Sequence, residues 1–174
     1  QCEACHGPGG QHVQAAERGL SEQIRSTILR ASTPAQEIEH CGRCHRLPAD
    51  IEPDRLRRYP PSLTRFQPVG LLQSRCYLES DGRLGCLNCH DAHGPVTSRT
   101  SDDQIAACLN CHQTGQFSLC AAGQTTGCVD CHLRKLELIP GIFFTDHWIR
   151  RQPDVANEPS RDPDATASGE PREP

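Results

Sequence analysis

The chain has 174 residues, a formal net charge of −4, and only 35% apolar residues, with 14 glycines, 14 prolines and 12 cysteines. The acidic balance argues against nucleic acid as a partner, because neutralising phosphates requires a basic surface. The most apolar run, residues 136–144, is interrupted by Glu137, Pro140 and Gly141 and is too short to cross a bilayer, so we expect no transmembrane segment.

The first element of the chain is the pentapeptide Cys2-Glu-Ala-Cys5-His6, and its C-x-x-C-H spacing recurs four times. This spacing is the signature of covalent c-type haem attachment. On a helical turn the two thiols can each form a thioether to one porphyrin, and the histidine lies under the iron as its proximal ligand. We therefore predict five haem c groups. The cysteine pairs are Cys2 and Cys5, Cys41 and Cys44, Cys86 and Cys89, Cys108 and Cys111, and Cys128 and Cys131, and the histidines are His6, His45, His90, His112 and His132.

Pairs of cysteines also build zinc sites and thioredoxin-like redox sites. Here ten of the twelve cysteines fall into five pairs, and a histidine follows every pair. Tetrahedral zinc would need an even number of pairs and would not require a histidine at that position. We therefore interpret the pairs as haem sites rather than as zinc sites or a disulfide scaffold.

A chain this poor in apolar side chains has little material for a close-packed core of its own. Five large, flat, apolar porphyrins would supply the missing interior. We therefore expect a mainly α fold with extensive irregular loops, little or no β-sheet, and a core formed by stacked haems, within one pentahaem domain over residues 1–150.

Between the first two motifs, Leu20, Ile24 and Ile28 recur at four-residue spacing and predict a covering helix over residues 15–31, which Thr33-Pro34 ends. His40 abuts the second motif, and we favour it as a distal iron ligand over a solvated surface residue. Residues 46–75 carry no motif, and their five prolines predict an irregular connector. The arginine-rich run 55–58 is a docking patch, a counter-charge for haem propionates, or a solvated face.

The cluster of three motifs over residues 86–132 has short gaps, which place its porphyrins close together. His93 follows the third motif by three residues, too few to reach the opposite face of the same ring, so we expect it to reach a neighbouring iron. Residues 101–104 predict a capping box that starts a helix running into the fourth motif.

After the last motif, Thr145 is expected to cap a short helix that presents His147. Residues 151–174 change character and have the proline-rich, acidic composition of a disordered tail. We expect this tail to lie on the haem body or on a partner chain.

Several segments resemble known multihaem cytochromes. Residues 1–12 resemble the opening of cytochromes related to the tetrahaem electron carrier of hydroxylamine oxidation, in which C-x-x-C-H-G-P-G precedes a further histidine, and this resemblance implies that His12 is a distal ligand of a different haem. The C-x-x-C-H-x-x-H spacing that ends at His93 resembles the doubled-CXXCH multihaem proteins. Residues 65–76 and the Asp146-His147-Trp148-Ile149 segment resemble multihaem cytochromes with helical repeats, which implies a distal role for His147.

Histidines are one short of a full set of ligands. Five of the nine are proximal, which leaves His12, His40, His93 and His147 as distal candidates, and the chain has no methionine. Exchange of histidines between identical copies would not cure the shortage. One iron is therefore five-coordinate, bound by a weaker group such as the Gln1 amine or Lys135, or completed by a different chain or by residues before Gln1.

Cys76 and Cys120 are the two cysteines outside the motifs. An oxidising compartment favours a disulfide between them. The alternative is a thiolate ligand to a haem iron.

These features predict single-electron transfer by a carrier, or by a subunit of a larger redox assembly or extracellular filament, with other redox proteins or cytochrome subunits as partners. The alternative is a multihaem oxidoreductase with one open iron that acts on a small nitrogen oxide or peroxide. Such an enzyme needs a proton donor and a cation beside the iron, and the sequence shows only scattered arginines. Because c-type haem is attached outside the cytoplasmic membrane, we expect a periplasmic or extracellular location. Either Gln1 is the mature N-terminus, or the sequence is part of a longer protein.

Overall fold

The computed structural model describes residues 2–26, 33–95, 98–112 and 127–151. Short helices and irregular segments make up most of this part of the chain, and its only sheet has two strands. The prediction of a mainly α, loop-rich fold with little β-sheet is confirmed, whereas the stacking of haems in its core stays a prediction. The helices are α1 (Glu3–His6), α2 (Gly10–Glu17), α3 (Ser21–Ser26), α4 (Pro34–His45), α5 (Pro53–Arg58), α6 (Gln67–Leu71), α7 (Arg75–Leu78), α8 (Ser101–Leu109) and α9 (Cys128–His132).

The prediction of one helix over residues 15–31 was wrong in its bounds. Helix α2 begins at Gly10 and ends at Glu17, and α3 begins at Ser21. Gly19 lies between them with φ +67°, a conformation that a glycine adopts without strain and that interrupts a helix. Residues 27–32 lie outside the described part of the chain.

Helix α4 carries the second motif at its C-terminal end. Thr33 caps this helix by accepting a hydrogen bond from the Gln36 N–H at 3.3 Å, and Pro34 occupies the first helical position, where its missing N–H costs nothing. Ile38 is buried on the inner face of α4. The dipeptide that was expected to end a helix therefore starts the next one.

The segment 46–75, predicted to be an irregular connector, instead holds most of the buried apolar side chains. Two single-turn 3-10 helices (Pro48–Asp50 and Pro61–Arg65) accompany α5 and α6 there. Proline stands at the first or second position of each of these four elements, where its fixed φ favours helix initiation. The five buried apolar side chains among the described residues are Ala15, Ile38, Leu63, Val69 and Leu71.

A β-hairpin follows the fifth motif, and the short helix that Thr145 was predicted to cap does not form, because Thr145 ends the second strand and residues 146–150 are irregular. Strand β1 (Lys135–Ile139) pairs antiparallel with β2 (Ile142–Thr145), and Thr145 lies opposite Lys135 in the register. The turn consists of Pro140 and Gly141, and Gly141 has φ +77°. A Pro-Gly pair between two apolar runs is itself a turn signal, so the hairpin could have been found from the sequence.

The capping box of helix α8 begins one residue earlier than predicted. Thr100, rather than Ser101, is the N-cap: its hydroxyl accepts from the Asp103 N–H at 3.3 Å, while the Asp103 carboxylate accepts from the Thr100 N–H at 2.8 Å. The helix runs to Leu109 and so carries Cys108 of the fourth motif, as predicted.

Among the described residues, no helix has the length and apolar character that a membrane span requires.

Candidate haem-binding sites

Each described C-x-x-C-H motif lies on a turn of helix. In the first, third and fourth motifs the backbone N–H of His6, His90 or His112 donates to the backbone carbonyl of the first cysteine of the same motif, each at 2.9 Å. The second motif lies within α4, and the fifth lies within α9. One helical turn therefore separates the first thiol from the imidazole in all five motifs. This is the local geometry that attachment of one porphyrin to two thiols and an iron to one histidine requires.

His93 lies against His6 of the first motif. The two imidazole ring centres are 5.9 Å apart, and the ring planes differ by 15°. The backbone N–H of His93 donates to the Asp91 carboxylate at 2.9 Å, a local turn that fixes the loop after the third motif. The structure thus brings His93 to a different motif from the one that it follows.

His147 lies against His90 of the third motif. Their ring centres are 6.1 Å apart, and the ring planes differ by 28°. His147 belongs to the irregular segment after β2, 57 positions along the chain from His90. The hairpin therefore delivers a histidine from the C-terminal part of the chain to the central motif cluster.

The two ring separations are compatible with one shared metal ion. Two imidazoles that bind an iron end-on from opposite sides have ring centres about 6 Å apart, because each metal–nitrogen bond is about 2 Å long. Aromatic rings in ordinary contact have centres about 4.5–7 Å apart, so the same separations also occur without a metal. The C-x-x-C-H motifs, rather than the ring distances alone, indicate that the shared ion would be a haem iron.

Hydrogen bonds at Nδ1 leave Nε2 free to act as a ligand in three of the histidines. The Nδ1–H of His45 donates to Gln67 Oε1 at 2.8 Å, that of His132 to the Arg150 carbonyl at 3.1 Å, and that of His147 to the Thr145 carbonyl at 2.8 Å. Bonds of this kind fix the tautomer and orientation of metal-ligating histidines. Gln67 could not be predicted as a neighbour of His45, because nothing in its local sequence pattern marks it.

Burial lowers the pKa of His90, and the nearby Arg99 and His45 lower it further. Burial is also the main cause of a lowered pKa at His147. Both imidazoles are therefore held neutral near pH 7, the state in which a ring nitrogen can donate its lone pair to iron.

The second and third motifs are neighbours although 40 residues separate them. The thiols of Cys41 and Cys86 lie close enough to influence each other's ionisation, and Glu37 of α4 accepts from the Leu87 N–H at 2.5 Å. Burial, followed by the charge of the Cys41 thiolate form and of Glu37, raises the pKa of Cys86 to about 12. Porphyrins attached at these two motifs would therefore be immediate neighbours.

Two open clefts lie on either side of Arg99. One, of about 360 Å³, is lined by residues that include His90 and His93, and the other, of about 330 Å³, by residues that include Asn88 and Asp103. The Arg99 guanidinium donates to the Asn88 carbonyl at 3.1 Å. The Arg99 guanidinium is therefore placed to pair with an acidic group, such as a haem propionate, that lies in either cleft.

Several apolar side chains within or beside the motifs are exposed to water. Leu87 of the third motif is 44% exposed, Leu109 of the fourth is 37% exposed, and Val13 near the first is 52% exposed. These side chains are suited to contact an apolar porphyrin face. The exposed apolar side chains beside the motifs are therefore consistent with the haem groups that the motifs indicate.

The remaining predicted site residues are distributed as follows. His12 is half-buried on α2, and His40 lies on α4 five positions before His45. His40 belongs to neither of the two close histidine ring pairs described above. Cys76 is half-buried on α7, burial raises its pKa, and no described cysteine lies at disulfide distance from it. Cys120 and the tail 152–174 lie outside the described residues, so the predicted disulfide and the docking of the tail stay predictions.

No group of three or more His, Cys, Asp or Glu side chains that could hold a metal ion is found in the described ranges. Four of the histidines instead lie in two ring pairs, His6 with His93 and His90 with His147.

Residues 80–117, which contain the third and fourth motifs, match the family model of the doubled CXXCH motif. This agrees with the spacing that ends at His93. Comparison with curated proteins and with solved structures found no significant match. The motifs indicate covalently bound haem c with iron, and a chain that carries the doubled motif is similar to multihaem c-type cytochromes that transfer electrons.

Proposed function

We propose that this protein transfers single electrons through five covalently bound haem c groups. The observation that carries the proposal is the pairing of His6 with His93 and of His90 with His147, each pair joining a motif histidine to a histidine outside the motifs at a separation compatible with one shared iron. His93 and His147 would then be the distal ligands of the first and third haems. Haem supplies one-electron redox chemistry when bound, and the chain supplies attachment, ligands and spacing.

The placement of the attachment sites supports electron transfer among the first three haems and between the fourth and fifth. Cys41 and Cys86 of the second and third motifs are neighbours, and His90 and His93 lie three residues apart while facing different partners. Helices α8 and α9, which carry parts of the fourth and fifth motifs, pack on each other. The third motif is thus adjacent to the first and the second, and electrons entering at any of these three sites would have a neighbour to pass to.

The chain would act outside the cytoplasm, in the periplasm or the extracellular space, as a carrier or as a subunit of a larger redox assembly. The proposed location rests on the chemistry of haem attachment, and the net charge of −4 favours a protein partner over nucleic acid. The tail 151–174 is proposed as the contact with a partner subunit.

The number of histidines supports a second candidate function, that of an oxidoreductase with one open iron. With His93 and His147 assigned, only His12 and His40 remain for the irons bound by His45, His112 and His132. One iron would then lack a histidine on its distal side. An open iron of this kind is what an oxidoreductase acting on a small nitrogen oxide or peroxide would need.

Electron paramagnetic resonance of the oxidised, fully loaded protein tests the proposal. We expect low-spin ferric signals from the paired-histidine sites, with five haems per chain by mass. A protein with fewer than five thioether-bound haems, or with high-spin iron throughout, would contradict it. A high-spin signal from a single haem, together with turnover of nitrite, hydroxylamine or peroxide, would favour the second function.

A further inference from the structure

His147 lies on a segment that has no regular secondary structure of its own. The segment 146–150 follows β2, and the only local bond that restrains the His147 ring runs from its Nδ1 to the carbonyl of Thr145, two residues back. This bond sets the angle of the ring against its own backbone. It cannot set the place of that backbone relative to His90, which requires contacts with other elements.

The side chain of Asp146, the residue before His147, is almost fully enclosed, with 2% of the residue exposed. Its Oδ1 accepts from the Tyr59 hydroxyl at 2.9 Å and from the Trp148 N–H at 3.0 Å, and its Oδ2 pairs with Arg150 at 3.0 Å. A buried carboxylate is tolerated only when it is paired and hydrogen-bonded in this way. Asp146 therefore fastens the segment to the end of α5, 87 residues away in the chain.

Ser74 fastens the same segment from the other side. It is fully buried, and its hydroxyl accepts from the Ile149 N–H at 2.8 Å and lies 3.1 Å from the carbonyl oxygen of His147. The neighbouring helix α6 approaches the segment so closely that a Cβ on Gly70 would lie 2.5 Å from the Trp148 nitrogen and 2.8 Å from the His147 carbonyl carbon. The backbone of the ligand therefore has fixed neighbours both before and after it.

We propose that Asp146 and Ser74 are positioning residues for a distal iron ligand: they hold the backbone of His147 where its imidazole faces His90 across one haem iron. The inference rests on the proposed function, because it takes the His90–His147 pair as the ligands of the third haem. A metal–nitrogen bond tolerates a displacement of only about 0.5 Å, so a ligand on an irregular segment depends on its supporting residues.

Carbon monoxide binding by the reduced, fully loaded protein tests the role of these residues, since this gas binds an iron that has lost its sixth ligand. The informative variants are Asp146→Ala, which removes every bond of the carboxylate, and Ser74→Ala, which removes one hydroxyl. In each we expect a single additional equivalent of carbon monoxide per chain and a single additional high-spin ferric signal, both reversed by added imidazole. Asp146→Asn keeps the Oδ1 acceptor for Tyr59 and Trp148 but loses the ion pair with Arg150, so it should gain less carbon monoxide binding than Asp146→Ala.

Two comparisons keep the test decisive. The His147→Ala variant must itself gain one equivalent of carbon monoxide; if it does not, the ligand pair and that part of the proposed function are wrong. If His147→Ala gains the equivalent while Asp146→Ala and Ser74→Ala, with five haems per chain, do not, the positioning role alone is overturned. Should Asp146→Ala fail to accumulate, the smaller Ser74→Ala change decides the question.

Discussion

At the scale of single residues, the three-residue spacing from His90 to His93 has the greatest consequence for the chemistry. A histidine so close to the proximal ligand cannot swing to the far side of the same ring, and the structure places it instead beside His6. This outcome could be expected from the sequence, because it depends only on the reach of three residues. The identity of its partner could not, because that depends on how α1 folds back over the central cluster.

The pairing of His6 with His93 predicts the effect of a single substitution. His93→Ala should leave the first haem attached through Cys2 and Cys5 but should remove its sixth ligand. We expect conversion of one low-spin ferric signal to high spin and the uptake of one additional carbon monoxide per chain, with recovery of the low-spin signal when imidazole is added. Magnetic circular dichroism measures the number of low-spin haems, and an unchanged number in His93→Ala would show that His93 binds no iron.

The residues that hydrogen-bond to the histidines could not be predicted from the sequence. Gln67 contacts His45 from 22 residues away, and Ser74 contacts the carbonyl of His147 from 73 residues away. No local spacing rule marks either residue. The cysteines and proximal histidines of the C-x-x-C-H motifs, by contrast, are set by the geometry of one helical turn, so the sequence predicts them directly.

At the scale of elements, α8 shows how a short polar pattern fixes the position of a haem motif. The Thr100 hydroxyl and backbone N–H bind the Asp103 carboxylate and lower its pKa. The helix that begins there ends at the fourth motif. The start of α8 therefore determines the direction in which Cys108 is presented.

This cap gives a prediction with a matched control. Thr100→Ala should lower the free energy of unfolding by about 1 kcal/mol, the usual cost of losing an N-cap. Ser101→Ala, at the next position, removes a hydroxyl that makes no capping bond and should have little effect. Chemical denaturation of the loaded protein measures both variants, and equal stability of the two would show that Thr100 is not the cap.

The lowered pKa of Asp103 also fixes the sign of its pH dependence. A carboxyl group whose pKa is lower in the folded than in the unfolded state contributes stability that is complete above the unfolded value, about 4, and is lost as the pH falls through the folded value. The difference between Thr100→Ala and the unmodified protein should therefore shrink in acid.

Elements were predicted well where one pattern dominated and poorly where tertiary contacts decided. The helix into the fourth motif was found within one residue, because a capping box is a local signal. The prolines of residues 46–75 predict an irregular connector. In the structure those prolines stand at helix starts, and the segment buries Leu63 and Val69 completely. Proline density indicated that elements end and begin there, but not that the segment would be internal.

At the scale of the whole molecule, the polypeptide buries few apolar side chains for its length. Only five are buried in the described part of the chain, while Leu87, Leu109 and Phe143 remain exposed. A chain of this size normally needs far more apolar burial to offset the entropy of folding. The bound haems are the natural source of the missing contacts.

This shortage predicts that folding depends on haem attachment. The same chain produced without haem, or with both cysteines of all five motifs changed to alanine, should lack a cooperative thermal transition and should be digested rapidly by protease. The fully loaded protein is the control and should unfold cooperatively. Circular dichroism and limited proteolysis measure the difference, and a cooperative transition in the haem-free chain would show that the polypeptide folds on its own.

The short loop between His90 and His93 also restricts how such a protein can be divided or recombined. One end of the loop faces a histidine from the C-terminal hairpin region, and the other end faces a histidine from the first helix. If His93 and His147 are the proposed distal ligands, a fragment cut before this loop would retain the first porphyrin attachment site without its second axial donor, and a fragment cut after it would leave the third without one. With this ligation the chain would not be a string of interchangeable single-haem modules, and genetic shuffling of its motifs would have to carry distant segments along together.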